Sequence, residues 1–372
     1  MPGIGPGETG VDTMRRSLVA GLMMVTSAAL AGPAAGASDP VPPRTSSPRT
    51  AAPDTTTPAA AVLTPTVLPG LGGSSASAAA VNDSGVVAGT ALATDGRYYA
   101  VQWTGGRITR LPALGGSECQ ARDIDNSGRI VGGCMTAAGT FKPVMWEGGR
   151  LTRIPAPGDF GMAVATSKAG IVGTYNVPGD DPFQTRRAFR WRPGQASART
   201  ITAPIGASAE GINDSGRVVG AMRWLWADPS PLGQYRAWTW SAGTQTQLGT
   251  LGGGTTPNDI NNAGQVVGTS IAAGSRLVPF IWSSGRLRAL PTGGRNSLTA
   301  QALNDGGVIV GTDGSQERAI RWASPSSPVT YLPQPSGTML SQGQDVNRAG
   351  TVVGMAGSYD GSAFRFVAVV WK

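Results

Sequence analysis

The sequence contains no histidine in its 372 residues. That removes imidazole from every role it fills in enzymes: a Ser-His-Asp triad, an HExxH metal site and a histidine ligand are all excluded by composition. Lysine is nearly missing as well, present only as Lys142, Lys168 and Lys372. A serine nucleophile without histidine needs a lysine base, and these three are poorly placed in sequence to act as one. Beyond residue 60, glutamate occurs only at Glu118, Glu147, Glu210 and Glu317, and the aspartates sit mostly in turns. No carboxylate pair suited to glycoside hydrolysis stands out. These residue types single out no catalytic residue and no cofactor.

Charge is sparse, at 14%, and the formal balance of +8 is carried by arginines scattered along the chain without a run of them. Such a pattern fits solvated strand edges better than a nucleic-acid track. After residue 30 no apolar run approaches the roughly 18 residues that would suggest a membrane span.

What the sequence has in quantity is glycine, 55 residues, much of it in a repeat. Its cleanest copy runs from Leu248 to Trp282, where two apolar runs flank the turn sequence Asn261-Asn262-Ala263-Gly264 and a third run ends on tryptophan. Turn glycines recur at Gly85, Gly128, Gly170, Gly216, Gly264, Gly307 and Gly350, each followed by Trp103, Trp146, Trp191, Trp240, Trp282, Trp322 or Trp371. A period of this length is expected when each repeat is one small sheet of a propeller. In the second copy the apolar runs are Arg107 to Leu111, Cys119 to Ile124, Arg129 to Gly133 and Lys142 to Trp146, with the alternation and β-branched enrichment of strands. Three residues before each closing tryptophan stands a small or proline residue, from Ala100 and Pro143 through to Ala368. A small side chain facing a large one lets adjacent sheets nest. The expected fold is all-β: a single seven-bladed β-propeller of four-stranded blades, with six or eight blades or an open array as alternatives.

Turns such as GINDSGRVVG at Gly211 to Gly220, the preceding LGTLGG at Leu248 to Gly253 and strands such as RAFRW at Arg187 to Trp191 resemble the HAF family of probable extracellular repeats. The resemblance covers roughly Leu68 to Lys372. The first position of the family's H-A-F triplet is occupied here by Tyr99, Lys142, Arg187, Arg236, Val278, Arg318 and Val367. The resemblance implies secretion and repeat architecture and brings no established activity.

The N-terminus reads as an export signal over 1–37: Arg15-Arg16, an apolar run from Leu18 to Leu30, and Ala35-Gly36-Ala37 before the cleavage point, with Met14 an alternative start. Residues 38–60 are a Pro, Thr, Ser and Ala linker that lacks the apolar surface to order itself. Residues 61–372 carry the repeats. An extracellular location follows, for a monomer that recognises a glycan or protein ligand without catalysis. The alternative is a propeller enzyme acting on extracellular polysaccharide.

Three local expectations complete the reading. Folding the chain about Asn126-Ser127 places Cys119 opposite Cys134, so an exported protein would join them in a disulfide. The Leu-Pro ending of the first run in each unit also occurs at Leu68-Pro69, with no tryptophan strand before it. Val62 to Leu68 is therefore expected to lie beside Phe366 to Trp371 and close the ring. The spacing from the glycine of the second strand to the tryptophan is longest in the third and fourth copies. Those two loops, with Tyr175, Asp180, Asp181, Phe183 and Arg186 on one and Trp224, Trp226 and Tyr235 on the other, are the expected ligand-binding surface. Asp123, Asp125 and Ser127 resemble the opening of a calcium loop, but no copy has the closing glutamate, so a hydrogen-bonded hairpin turn is expected there and no metal.

Overall fold

The computed structural model describes residues 63–158, 160–177, 186–201, 206–223, 235–272 and 276–372, without the side chain of Arg223. Residues 64–372 make one compact unit, and every regular element among the described residues is a β-strand. No helix among them is long and apolar enough to cross a membrane.

The strands fall into consecutive antiparallel groups of four. Four groups are separate sheets, and the other three join into a 12-stranded sheet through single parallel bridges at Ser75–Phe366 and Tyr98–Glu118. The first strands of the groups are Gly72–Val81, Gly115–Ile124, Phe160–Ser167, Ala207–Ile212, Thr255–Ile260, Leu298–Leu303 and Leu340–Val346. Each touches the first strand of the next group, and Leu340–Val346 touches Gly72–Val81. The first strands therefore surround an axis. The last strands of each group lie outermost, where Arg107–Arg110, Arg150–Arg153 and Arg286–Ala289 carry exposed arginines. Charge on a free edge discourages further strand pairing.

The last group takes its outer strand from the start of the chain. Pro65–Val67 pairs antiparallel with Phe364–Trp371, with Pro65 opposite Trp371 and Val67 opposite Val369. Leu68 N donates to Ala368 O at 2.8 Å and Thr64 N to Lys372 O at 2.7 Å. The pairing of this segment with the last strand, expected from Leu68-Pro69, is present.

Between the first two strands of a group, asparagine builds the turn. Asn82 Oδ1 accepts from Ser84 Oγ and from Val86 N, and Gly85 takes φ +79° where a side chain would be strained. The Nδ2 of the same residue reaches the neighbouring group. Asn82 donates to Asp125 O, Asn213 to Asn261 O, Asn261 to Asn304 O, Asn304 to Asn347 O, and Asn347 back to Asn82 O at 3.1 Å. Where the turn lacks asparagine, Thr166 Oγ1 donates to Asp125 Oδ2 and Ser167 Oγ to Asn213 O, so the collar is unbroken. This turn in the third group, which looks degenerate in sequence, keeps the contact through a hydroxyl.

Apolar residues fill the space between neighbouring groups. Val101 and Trp103 of the first group pack on Ala368 and Val370 of the last, and Val144 and Trp146 of the second pack on Ala88 and Ala100 of the first. The small residue three before one tryptophan thus receives the tryptophan of the next group. At four junctions the indole N–H also donates to a proline carbonyl on the outer edge of the preceding group: Trp103 to Pro69, Trp146 to Pro112, Trp322 to Pro291 and Trp371 to Pro333, at 2.7 to 2.8 Å. Cys119 and Cys134 stand opposite each other in the second group and are joined as a disulfide.

Candidate functional site

Every first strand carries a β-bulge three residues before its turn. The register slips between Ala78 and Ala80, Ala121 and Asp123, Ala163 and Ala165, Ala209 and Gly211, Pro257 and Asp259, Ala300 and Ala302, and Gly343 and Asp345. The extra residues are Ala79, Arg122, Val164, Glu210, Asn258, Gln301 and Gln344. Each is more exposed than the residue before it, which is buried between sheets, so the extra residue projects from the free inner edge towards the axis. The facing strand always supplies glycine at this level. A Cβ on Gly132 would collide with the carbonyl oxygen of Gln120, and one on Gly311 with that of Thr299.

The axial row is chemically uneven. Arg122 lines the water-accessible axis but is walled by protein, and this confinement lowers its pKa against the attraction of Glu210 and Asp123. Burial pushes the Glu210 carboxyl up, against the Ser208 hydroxyl, which donates at 2.6 Å, and the charges of Arg122 and Arg186. Asn258 Nδ2 donates to Ala300 O at 2.7 Å and to Gln301 Oε1 at 3.0 Å. One cation, one carboxylate and three amides therefore stand at the same level of the seven first strands.

Next to this row sit three aspartates. Asp123 Oδ2 accepts from Thr166 N, Asp259 Oδ2 from Leu303 N and Asp345 Oδ2 from Val81 N, while each Oδ1 accepts from the following residue of its own strand. The position facing each aspartate in the next group is small, Ala165, Ala302 or Ala80, which leaves room for the carboxylate. Desolvation raises these acids to about 7 for Asp123, about 6 for Asp259 and about 7 for Asp345, against the amide donors and with repulsion from other aspartates, Asp305 in the case of Asp259, adding to the rise. Among the described residues no group of three acidic or thiol side chains is placed to hold a metal.

No protein-family model matches the chain, and no curated protein matches it in sequence. Solved structures do match in shape. The β-propeller domain of the Trilobed protease from Pyrococcus furiosus aligns with TM-score 0.58 and 10% identity over 80% of this chain and 95% of that one. A structure from a study of two prolyl endopeptidases aligns with TM-score 0.55 and 10% identity over 77% of this chain, and acylaminoacyl peptidase from Pyrococcus horikoshii with TM-score 0.51 and 10% identity over 80%. The fold is a β-propeller. The chain spans 48% and 51% of those two peptidase chains. The Pyrococcus furiosus domain is described as having an open velcro topology, whereas here Pro65–Val67 pairs with the last strand.

In this propeller the sequence-selected residues scatter. Tyr175, expected on a surface loop, is 5% exposed: its strand continues to Asn176, its ring lies 6.5 Å from that of Phe189, and its hydroxyl shares a 2.7 Å hydrogen bond with that of Thr200. The strand outlasts Gly173 because Arg186–Trp191 begins early enough to pair with it, Arg187 facing Tyr175. Arg186 is exposed at the start of its strand, close enough to act on Glu210, and Tyr235 opens the equivalent strand of the next blade half-buried. Asp180, Asp181, Phe183, Trp224 and Trp226 lie outside the described residues. Asp123 is not in a loop: its oxygens are taken by backbone amides. Asp125 Oδ1 accepts from Ser127 N and Oγ and from Arg129 N, as a hydrogen-bonded turn requires.

The axial residues were absent from the sequence-based site. One signal did point to them: the glycine inside every second strand, at a position where a strand interior usually prefers a side chain, marks a bulge in its partner.

Proposed function

We propose that the chain is a seven-bladed propeller of the HAF kind, exported by its first 37 residues, that binds a polar group of an extracellular ligand on its axis without catalysis. The collar of turn hydrogen bonds that returns from Asn347 to Asn82 supports seven blades in a closed ring. The observation that carries the binding role is the axial row. The seven bulges repeat in geometry, but their residues do not repeat in chemistry, and a purely structural lining gives no reason for Arg122, Glu210, Asn258, Gln301 and Gln344 to stand among Ala79 and Val164. A rigid ring holding unlike polar groups around one point is a common way to fix the orientation of a ligand.

The test is a glycan and peptide array probed with the chain from Ser38 onwards, beside Arg122→Ala and Glu210→Gln. Saturable binding lost in both variants, with unchanged melting, is the expected result. Binding indifferent to both variants would remove the axis from the site, and turnover of an offered polysaccharide would make the protein an enzyme.

A further inference from the structure

The junction between the third and fourth blades holds its tryptophan without the proline carbonyl used at four other junctions. Trp240 has a buried indole N–H without an acceptor, where four counterparts donate to proline. Its ring faces Arg190, whose guanidinium carbon lies 5.9 Å from the ring centre. Beside them opens a groove of about 290 Å³ lined by Arg190, Arg192, Gln195, Arg199 and Trp240 among others.

Positive charge collects there without an answering carboxylate. Arg190 and Arg199 are directly opposed in adjacent strands. Arg190 Nη2 and Arg192 Nε both donate to Ala169 O at 2.9 Å, which crowds two guanidinium groups on one carbonyl and leaves the buried Nε of Arg190 without a partner. Burial, with repulsion from Arg192 added, lowers the pKa of Arg190. Among the described residues no acid lines the groove, and the carboxylate of Asp214 in the nearby turn of the fourth blade is held by Lys168 Nζ at 3.0 Å.

A planar guanidinium presents paired donors that match the two oxygens of a carboxylate or sulfate, and an indole face suits the flat apolar side of a sugar ring. We infer that this groove binds an anionic saccharide, its carboxylate or sulfate group held by Arg190, Arg192 and Arg199 and its ring laid against Trp240. The axial site plays no part in it.

The test titrates the protein with oligogalacturonate, a heparin-derived oligosaccharide and a neutral cello-oligosaccharide. Binding of at least one acidic oligomer, ten-fold or more above the neutral one, is expected, and the oligomer that binds tells carboxylate from sulfate. Replacing Arg192 and Arg199 together by alanine should weaken it at least ten-fold with unchanged melting. The double replacement Arg150→Ala and Arg153→Ala removes the same charge from another outer strand and should leave affinity alone, as should Arg122→Ala. Equal loss in the two double variants would reduce the effect to net charge and overturn the inference. So would equal binding of the neutral oligomer, or failure of both acidic ones to bind.

Discussion

Asp345 Oδ2, in the last group of strands, accepts a 2.7 Å hydrogen bond from the backbone N–H of Val81, in the first, so a carboxylate ties these two groups at their inner strands. Asp123 and Asp259 repeat the contact at two other junctions. All three acids titrate in the fold above their unfolded range, at about 7, 6 and 7. Between roughly pH 4 and pH 7 the folded chain therefore holds protons that the unfolded chain has released, and stability falls as pH rises through that window. The lack of histidine removes the usual titration from this window, and Glu210, also pushed up by burial, adds to the fall with the same sign. The melting temperature should be higher at pH 5 than at pH 8. The variant with Asn at 123, 259 and 345 should show a flatter profile, whatever its absolute stability. A wild-type profile that rises with pH would contradict the account.

Removing Ala61 to Pro69 should destabilise the ring far more than removing Ser38 to Ala60. The longer-range reason is double: Pro65–Val67 covers the edge of Phe364–Trp371, and Pro69 O accepts from the indole of Trp103 in the first blade. An exposed edge of that kind also invites aggregation. Melting and light scattering of the two truncations, side by side, decide it, and equal behaviour would refute the closure.

The repeat, the turns, the disulfide and the closing strand were legible because each rests on local chemistry: Asn-x-x-Gly turns, tryptophan spacing, two facing cysteines and a stranded Leu-Pro. Tyr175 was misplaced because strand length depends on a partner, Arg186–Trp191, that lies across a long connection. The axial row was missed because a bulge adds one residue without disturbing alternation enough to notice, and the glycine that betrays it reads first as a turn residue. The Arg190–Trp240 groove arises from two blades meeting, and no single repeat contains it.

Reduction should lower the stability of the second blade. The bridge between Cys119 and Cys134 closes a segment with a separation of 15 residues, and the chain-entropy model assigns such a loop about 3 kcal/mol. Melting of Cys119→Ser/Cys134→Ser should drop accordingly and become insensitive to reductant. Two titratable thiols in the unreduced wild type would exclude the bridge.

The tryptophans offer the sharpest internal comparison. Trp322 is fully buried and donates to Pro291 O at 2.8 Å, whereas the buried indole N–H of Trp240 has no acceptor. Replacement by phenylalanine removes the N–H in both. At position 322 it also strands the proline carbonyl and opens space, so a cost of about 1–3 kcal/mol is expected. At position 240 the removed group was already unsatisfied, and its loss offsets the smaller ring, so the change should stay within about 1 kcal/mol. Denaturant unfolding of Trp322→Phe and Trp240→Phe measures both against the same wild type. An equal cost at the two positions would mean that the tryptophans act by volume alone and that the proline carbonyl contributes nothing to blade packing.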